Sequence, residues 1–226
     1  MKKTNLLGTD EKLFRDVSAR RSADKDKNKA AAKLFGAEYF DGTREQGYGG
    51  YVYDGRWVAV ARRILERYKI PSNGNFLDVG CAKGFLLHDI KTIRPDINVF
   101  GVDISNYALE KSLPTVKEAI KISDCTSLAF PDNFFDAVVC INTIHNLDYE
   151  GCKLAINELK RVAKRNSSIF IQVDAYTSDS ELAMFQEWVL TAETYMRPDG
   201  WCKLFDEVDF QGDYFWTIIG FSDRNI

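Results

Sequence analysis

A short glycine-containing segment is the part of this sequence whose residue types and spacing point most directly to ligand binding. Residues 77–85 read LDVGCAKGF, in which an apolar strand pattern leads through Gly80 and Gly84 into a helical stretch. Glycine lets the backbone turn sharply and approach a ligand, and the following helix directs its amide dipole at the same place. A GxGxxG dinucleotide motif would need glycine in place of Phe85, and a GxxxxGK[ST] phosphate loop is absent. The segment therefore predicts a binding loop of another kind.

Two further carboxylates come at the ends of the next two strand patterns. Asp103 follows residues 98–102, twenty-five residues after Asp78, where a carboxylate can accept hydrogen bonds from both hydroxyls of a ribose. Asp124 follows residues 119–122, where it can face an exocyclic amine. In an open parallel sheet the ligand site lies beyond the carboxyl ends of the strands, at the switch point. The alternative for both residues is helix capping or solvent exposure.

Candidates for acid–base chemistry are few, because the chain has only two histidines. His145 follows the strand pattern 137–141 and is a candidate base or substrate contact, unless it merely closes the loop before the next helix. Asp174 and Tyr176 follow the pattern 169–173 and could orient an acceptor. Ser178 and Glu181 form a capping box, so Asp174 could instead help begin a helix. We predict a catalytic role for His145 and Asp174.

Metal chemistry is not predicted. There is no HExxH motif, and the five cysteines are scattered without a CxxC pair. We expect free thiols in a reducing compartment.

A glycine- and tyrosine-rich run precedes the first long helix. Residues 47–57 read GYGGYVYDGRW, which excludes a regular helix and leaves several rings in need of burial or a ligand. The run could be a lid whose rings exclude water and whose arginines pair with an acidic group on a substrate. The alternative is an ordinary packed N-terminal extension. Our lid and substrate candidates in this region are Arg44, Tyr48, Tyr51, Tyr53 and Arg56, with Tyr176 opposite.

The elements that must position these residues alternate between strand and helix. Residues 56–69 have helical spacing, residues 10–34 read as an exposed helical arm, and apolar bursts occur at 76–79, 98–102, 119–122, 137–141 and 169–173. Such units predict an α/β, Rossmann-like doubly wound, mostly parallel seven-stranded sheet with an N-terminal helical and loop cap. Residues 214–219 predict a last strand, antiparallel at an edge or inserted. We assign residues 1–55 to the arm and lid and 56–226 to the main domain.

Taken together, these spaced motifs resemble those of the class I S-adenosylmethionine-dependent methyltransferases. The resemblance runs from about residue 76 to 173: DVGCAKG matches the family's acidic-x-Gly-x-Gly-x-Gly loop, with Ala82 in place of its middle glycine. Asp103 matches the acidic residue after the second strand, and residues 123–136 match the adenine segment. The lid run is also similar to that of bacterial methyltransferases associated with sugar and surface-polysaccharide biosynthesis.

The resemblance implies a cofactor, S-adenosylmethionine, and a set of residues around it. It places the methionine part beside the glycine loop, the ribose at Asp103 and the adenine amine at Asp124, with Ile104 packed on the adenine ring. It also implies that Asn142 lines the cofactor. The cofactor-binding residues we predict are Asp78, Gly80, Cys81, Ala82, Gly84, Asp103, Ile104, Ser123, Asp124, Cys125 and Asn142.

Composition narrows the class of methyl acceptor and the cellular compartment that we expect. The 226 residues carry a net charge of -3 and a sequence pI of about 5.5, which disfavours a nucleic-acid substrate. The loop after residue 141 also lacks the proline-containing signature of enzymes that methylate the amino groups of nucleic acids. No apolar run resembles a signal peptide or a membrane span. We therefore expect a cytoplasmic enzyme with no membrane partner that methylates a small molecule, and a homodimer is compatible.

Three functions remain open from the sequence. The leading hypothesis is methyl transfer to a hydroxyl of a sugar, nucleotide sugar or phosphate-bearing compound. The second is an RNA- or protein-modifying methyltransferase that uses the basic arm. The third is a non-catalytic, cofactor-binding partner subunit of the same fold.

Overall fold

A parallel β-sheet organises the molecule. The computed structural model describes residues 1–15, 17–18, 20 and 24–220. Within them the sheet has eight strands in the order β1-β8-β7-β6-β3-β4-β5, with β2 also paired to β8. Every strand pairing is parallel. The strands are β1 (Lys2–Lys3), β2 (Lys12–Phe14), β3 (Asn75–Val79), β4 (Asn98–Asp103), β5 (Ile120–Ile122), β6 (Ala137–Ile141), β7 (Ile169–Ala175) and β8 (Asp213–Gly220).

Helices cover both faces of the sheet, because its strands carry apolar side chains in both directions. Leu77 and Val138 point to the face covered by α6 and α8, whereas Phe76 and Val139 point to the face covered by α3 and α4. No helix in the described ranges is long and apolar enough to cross a membrane. The helices are α1 (Lys25–Ala32), α2 (Ala37–Asp41), α3 (Val58–Tyr68), α4 (Phe85–Ile93), α5 (Asn106–Glu110), α6 (Tyr149–Val162), α7 (Asp179–Trp188) and α8 (Pro198–Glu207).

The predicted fold class is confirmed, and so are the helix at 56–69 and the main strands, each within about two residues. The capping prediction for α7 is also confirmed, since Ser178 Oγ accepts a hydrogen bond from Glu181 N at 3.2 Å. The chain order reverses between β3 and β6, which places the switch point at their carboxyl ends.

Two expectations about the sheet were wrong. β8 is parallel to β7, not antiparallel, because α7 and α8 form a crossover that returns the chain to the starting edge. Residues 12–14 are not part of a helical arm but form β2, which pairs with residues 218–220. The N-terminal segment thus adds a broken edge strand, and the sheet has eight strands rather than seven.

Candidate functional site

A cavity lies at the carboxyl ends of β3, β4 and β6, where the switch point predicts a ligand. We call it the first cavity; its empty volume, open mouth included, is about 1090 Å³. Its floor is the glycine loop and its far wall is the segment after β5. The predicted cofactor residues that line it are Asp78, Gly80, Cys81, Ala82, Asp103, Ile104, Ser123, Asp124, Cys125 and Asn142.

The glycine loop is shaped by left-handed backbone at alternate positions. Gly80 has φ 78° and Ala82 has φ 48°. A Cβ at Gly80 would lie 1.9 Å from Thr143 Oγ1, so a side chain is excluded there. Ala82 occupies a conformation that glycine adopts more easily, which explains why a glycine is expected at this position. Gly84, predicted to touch the cofactor, instead caps α4 with φ 75° and faces Val116 and Ile120.

Asp103 ties the glycine loop to the turn after β4. Its Oδ2 accepts a hydrogen bond from Ala82 N at 2.7 Å, and its Oδ1 accepts one from Ser105 N at 2.9 Å. These bonds leave lone pairs on both oxygens, because a carboxylate can accept about four hydrogen bonds. Asp124 is similar, since its Oδ1 accepts from Thr126 N and Oγ1, both at 2.8 Å. Each carboxylate is fixed in place and keeps capacity to bind a ligand.

Asp78 is the carboxylate that most clearly lacks a partner. It is 5% exposed, and no donor of a described residue hydrogen-bonds to its carboxylate. Burial, together with the nearby charge of Asp103, raises the pKa of Asp78 to about 8. A buried carboxylate without a donor is costly. A cationic ligand in the first cavity would remove that cost.

An aromatic roof covers the first cavity. We use this name for the described rings of residues 35–51 that line it: Phe35, Tyr39, Phe40, Tyr48 and Tyr51. Tyr48 and Tyr51 have ring centroids 4.7 Å apart, and Tyr51 stacks on Phe85 at 4.8 Å. The roof therefore rests on the first turn of α4, directly above the glycine loop.

Lys83 fastens the roof to the glycine loop. This lysine is 5% exposed, and its Nζ lies 2.7 Å from both carboxylate oxygens of Asp41 and 2.8 Å from the carbonyl oxygen of Tyr51. The hydroxyl of Tyr107 also donates to Asp41 at 2.7 Å. We call this arrangement the latch. It joins α2, the roof and α5 through one ion pair, in which Lys83 is buried and Asp41 is partly exposed.

A second cavity adjoins the first. Residues Tyr39, Tyr48, Tyr51, Trp57 and Asn142 line both cavities and form their common wall. Asn142 has φ 53° and its N–H donates to Gln172 Oε1 at 3.0 Å, which holds this residue in an uncommon conformation. Trp57 Nε1 and Asn146 Oδ1, which line the first cavity, are buried and make no hydrogen bond to a described residue. Polar atoms at this wall are thus available to a ligand.

His145 and Asp174, which the sequence predicted to lie at the ends of neighbouring strands, both line the second cavity. The N–H of Asp174 donates to His145 Nδ1 at 3.1 Å, and Asp174 Oδ2 lies 3.9 Å from the same nitrogen. Burial lowers the pKa of His145, although the charge of Asp174 opposes this. Burial raises the pKa of Asp174, against the effects of His145, Arg15 and Gln172. The ring is therefore neutral, with its proton on Nε2, because Nδ1 acts as an acceptor.

Arginines and one indole form the opposite end of the second cavity. The guanidinium carbons of Arg20, Arg44 and Arg15 lie 3.9, 4.9 and 5.9 Å from the ring centroid of Trp188. Arg20 is buried, and it donates to the carbonyl oxygens of Arg44, Trp188 and Gly47. We call these four side chains the arginine cluster.

Other lid and substrate candidates lie elsewhere. Tyr53 donates to Asp89 Oδ1 at 2.5 Å on the outer side of α4, and it lines neither cavity. Tyr176 also lies outside both cavities, beneath the guanidinium of Arg197. Arg56 lines the second cavity, but its guanidinium is paired with Asp54 at 2.6 Å. Only Arg44, Tyr48 and Tyr51 of that group reach the cavities without a carboxylate partner among the described residues.

Sequence reasoning missed several residues that line the second cavity. Tyr39, Arg20 and Trp188 belong to no recognisable motif, although Tyr39 lies between Gly36 and Gly42. Leu7 and Thr9 come from the loop between β1 and β2. The arginines near the tyrosines were the available signal, and they pointed to Arg44 and Arg56.

Comparison with known proteins agrees with the geometry. A family model described as a methyltransferase domain matches residues 77–171. A tRNA (carboxymethyluridine(34)-5-O)-methyltransferase of Arabidopsis thaliana is 30% identical over 142 residues, which cover 62% of this chain and 33% of that protein. The chain spans between a fifth and about half of the length of the curated relatives it matches.

Solved structures show the same fold. A SAM-dependent methyltransferase from Archaeoglobus fulgidus superimposes with a TM-score of 0.56 at 24% identity, covering 79% of this chain and 73% of that one. A putative methyltransferase in complex with the Haloferax volcanii Trm112 activator gives a TM-score of 0.53 at 17% identity, covering 82% and 75%.

Proposed function

We propose that this protein is a class I, S-adenosylmethionine-dependent methyltransferase, in keeping with the methyltransferase-domain model that matches residues 77–171, and that it methylates a hydroxyl of a small polar metabolite bound in the second cavity. The acceptor we propose is a sugar, a nucleotide sugar or a related phosphate-bearing compound. The observation that carries this proposal is the common wall at Asn142, which joins a cavity that fits the cofactor to one lined by His145 and Asp174. We also propose that residues 1–55 act as a cap on the main domain, residues 56–226.

The residues of the first cavity fit the cofactor. Asp103 and Asp124 are fixed carboxylates with free lone pairs for the ribose hydroxyls and the adenine amine. Asp78 is a buried carboxylate without a donor, which suits the cationic methionine end. When bound, S-adenosylmethionine supplies an electrophilic methyl group on its sulfonium. The aromatic roof keeps water away from this region, so that the acceptor is the available nucleophile.

Asp174 is the group best placed to take the acceptor's proton. Its pKa is raised by burial, which makes a carboxylate a stronger base. A carboxylate oxygen of Asp174 would accept the hydroxyl proton of the acceptor, and S-adenosylmethionine would supply the methyl group when bound. The overall change would balance as a methyl ether, the neutral thioether of the cofactor and a protonated Asp174.

His145 has a different task in this scheme. Because Nδ1 accepts the N–H of Asp174 and Nε2 carries the proton, the neutral ring has no free lone pair with which to act as a base. Its Nε2–H can donate a hydrogen bond to an oxygen of the acceptor. The loop that holds it is fixed by the N–H groups of Glu193 and Thr194, which donate to the His145 carbonyl oxygen at 2.9 and 3.0 Å. We therefore propose that His145 orients the acceptor.

The test is calorimetric binding followed by a transfer assay. Wild-type protein should bind S-adenosylmethionine and its demethylated product, and Asp103→Ala should weaken both by at least about tenfold because it removes the bonds that shape the loop. Labelled cofactor should then place methyl groups in a small-metabolite fraction. Absence of cofactor binding in the wild type would refute the proposal.

Two other acceptor classes are outcomes of the same assay. The Arabidopsis relative is named for tRNA, so label in an RNA fraction, with binding that weakens steeply as salt rises, would support a nucleic-acid acceptor instead. Cofactor binding without transfer to any fraction would support a partner subunit. Label in small metabolites excludes both.

A further inference from the structure

The arginine cluster concentrates positive charge, and no carboxylate of the described residues pairs with it. Among the described residues, no carboxylate oxygen lies within 4 Å of the guanidinium groups of Arg15, Arg20 or Arg44, although the chain forms many such pairs elsewhere. The charge of Arg44 adds to burial in lowering the pKa of Arg20 to about 10. Burial and the charge of Arg15 similarly lower the pKa of Arg44. Among the described residues, the three guanidinium groups therefore act on one another without a neutralising carboxylate.

The cluster is also rigidly built. Arg20 uses three of its five N–H donors on carbonyl oxygens of the roof segment and of α7. Arg44 donates to the carbonyl oxygen of Tyr48 at 2.8 Å. The indole of Trp188 packs against the guanidinium groups and restricts their orientation. The remaining N–H donors of Arg20 and Arg44 are thus held in place beside Trp188.

The cluster shares its cavity with the proposed reaction centre. Arg15, Arg20, Arg44 and Trp188 line the second cavity together with His145 and Asp174. The charge of Arg15 acts on the pKa of Asp174, so the two ends of the cavity are electrostatically linked. Arg56 is the other arginine in the wall, but Asp54 already neutralises it.

We propose that the arginine cluster binds an oxyanion group, a phosphate or a carboxylate, carried by the methyl acceptor. Guanidinium groups match both oxyanions in planar, bidentate geometry, and they are less strongly hydrated than lysine, which suits a site where Arg20 is buried and Arg15 and Arg44 are exposed. The oxyanion supplies the missing negative charge and fixes the acceptor at one end, while its hydroxyl faces Asp174 at the other. This inference rests on the proposed function for the identity of the ligand as the acceptor.

Matched sugars test the proposal by titration calorimetry. Glucose 6-phosphate, glucuronate and glucose share a ring and differ in the charged group. We expect at least one of the two charged sugars to bind at least about tenfold more tightly than glucose, and the phosphate and carboxylate arms show which oxyanion is preferred. Arg15→Gln and Arg44→Gln should each weaken that binding by about tenfold or more. Arg62→Gln, an exposed arginine on α3, is the matched control and should change nothing.

Each outcome decides the proposal. Equal binding of all three sugars, binding of none, or unchanged affinity in both Arg15→Gln and Arg44→Gln would overturn it. Affinity for the demethylated cofactor, measured on the same samples, should stay within about threefold of wild type in every variant, which shows that folding is intact. Failure of the wild type to bind that cofactor would refute the proposed function and leave the anion measurement standing.

Discussion

At the scale of single residues, two carboxylates, one buried and one partly buried, lie on either side of the common wall. Asp78 belongs to the first cavity and Asp174 to the second, and burial raises the pKa of both. Their surroundings assign different tasks, because Asp78 faces the glycine loop whereas Asp174 faces His145. A raised pKa disfavours the ionised form, so a cation stabilises Asp78 and a proton stabilises Asp174.

Cofactor affinity should rise with pH through the titration of Asp78. The free carboxyl group, with a pKa of about 8, is mostly protonated near pH 6, and pairing with the ammonium group on the methionine part of the demethylated cofactor requires the ionised form. Affinity for the demethylated cofactor should therefore increase by up to about tenfold per pH unit and level off above pH 8. Asp78→Asn should bind weakly and without this slope. Calorimetry across the pH range checks it, and a flat profile in the wild type would contradict the assignment.

The roles of His145 and Asp174 can be separated by substitution. Asp174→Asn should lower turnover by about 10²–10⁴-fold, the range of a lost general base. His145→Gln keeps an amide donor near the position of Nε2 and should retain activity within about tenfold. The opposite ranking would make His145 the base.

The tautomer of His145 can be determined without an activity assay. Nitrogen NMR should show an unprotonated Nδ1 and a protonated Nε2, and assignment is simple because His88 is the only other histidine. A protonated Nδ1 would contradict the hydrogen bond from Asp174 N.

All residues that the sequence predicted for the cofactor, except Gly84, line the first cavity, because they follow strand ends at fixed spacing. Gly84, Tyr53 and Tyr176 line neither cavity, and their residue types do not indicate this. The sequence also could not show that Asp54 forms an ion pair with Arg56 or that the carboxylate of Asp103 accepts a hydrogen bond from Ala82 N. Both contacts depend on loop geometry.

At the scale of elements, the latch fixes the position of the aromatic roof relative to the glycine loop. α2 carries Asp41, the loop before α4 carries Lys83, and α5 carries Tyr107. The roof covers the first cavity, so cofactor exchange requires it to move. Lids of this kind commonly set rates of ligand release.

Weakening the latch should speed cofactor release. Asp41→Asn removes the charge that pairs with buried Lys83, and we expect the dissociation rate of the demethylated cofactor to rise by about tenfold in stopped-flow measurements. Asp54→Asn breaks an exposed ion pair in the same segment and is the matched control, expected to change the rate less than twofold. Equal effects of the two substitutions would contradict a specific role for the latch.

Local patterns predicted the interior strands because each is an apolar run between helical stretches. They did not predict β2, since a short charged edge strand is stabilised by its partner and not by its own sequence. They also failed for the direction of β8, which depends on how α7 and α8 pack against the sheet.

At the scale of the whole molecule, the N-terminal segment completes both the sheet and the second cavity. β1 and β2 cover the outer edge of β8, and Leu7, Thr9 and Leu13 line the second cavity. Arg63 anchors the intervening loop by donating to the carbonyl oxygens of Leu6 and Leu7. The first cavity does not use this segment.

Deletion of residues 1–14 should impair the function that we propose for the second cavity and leave ligand binding in the first cavity nearly unchanged. Loss of buried Leu6 and exposure of the β8 edge should lower the melting temperature by at least about 4 °C. Affinity for the demethylated cofactor should change by less than about threefold, whereas methyl transfer should fall at least tenfold. Calorimetry, thermal unfolding and the transfer assay check this, and full transfer by the shortened protein would contradict it.

The pairing of β1 and β2 with β8 also sets an order of events during synthesis. Residues 2–14 leave the ribosome early, but their partners at 213–220 are made about 200 residues later. At typical elongation rates that interval is on the order of 10–40 s. During it the nascent chain can assemble β3, β4 and the glycine loop, while its first residues stay unpaired and open to proteases and chaperones. The second cavity, which Thr217 and Ile219 also line, can thus be completed only after β8 has been made.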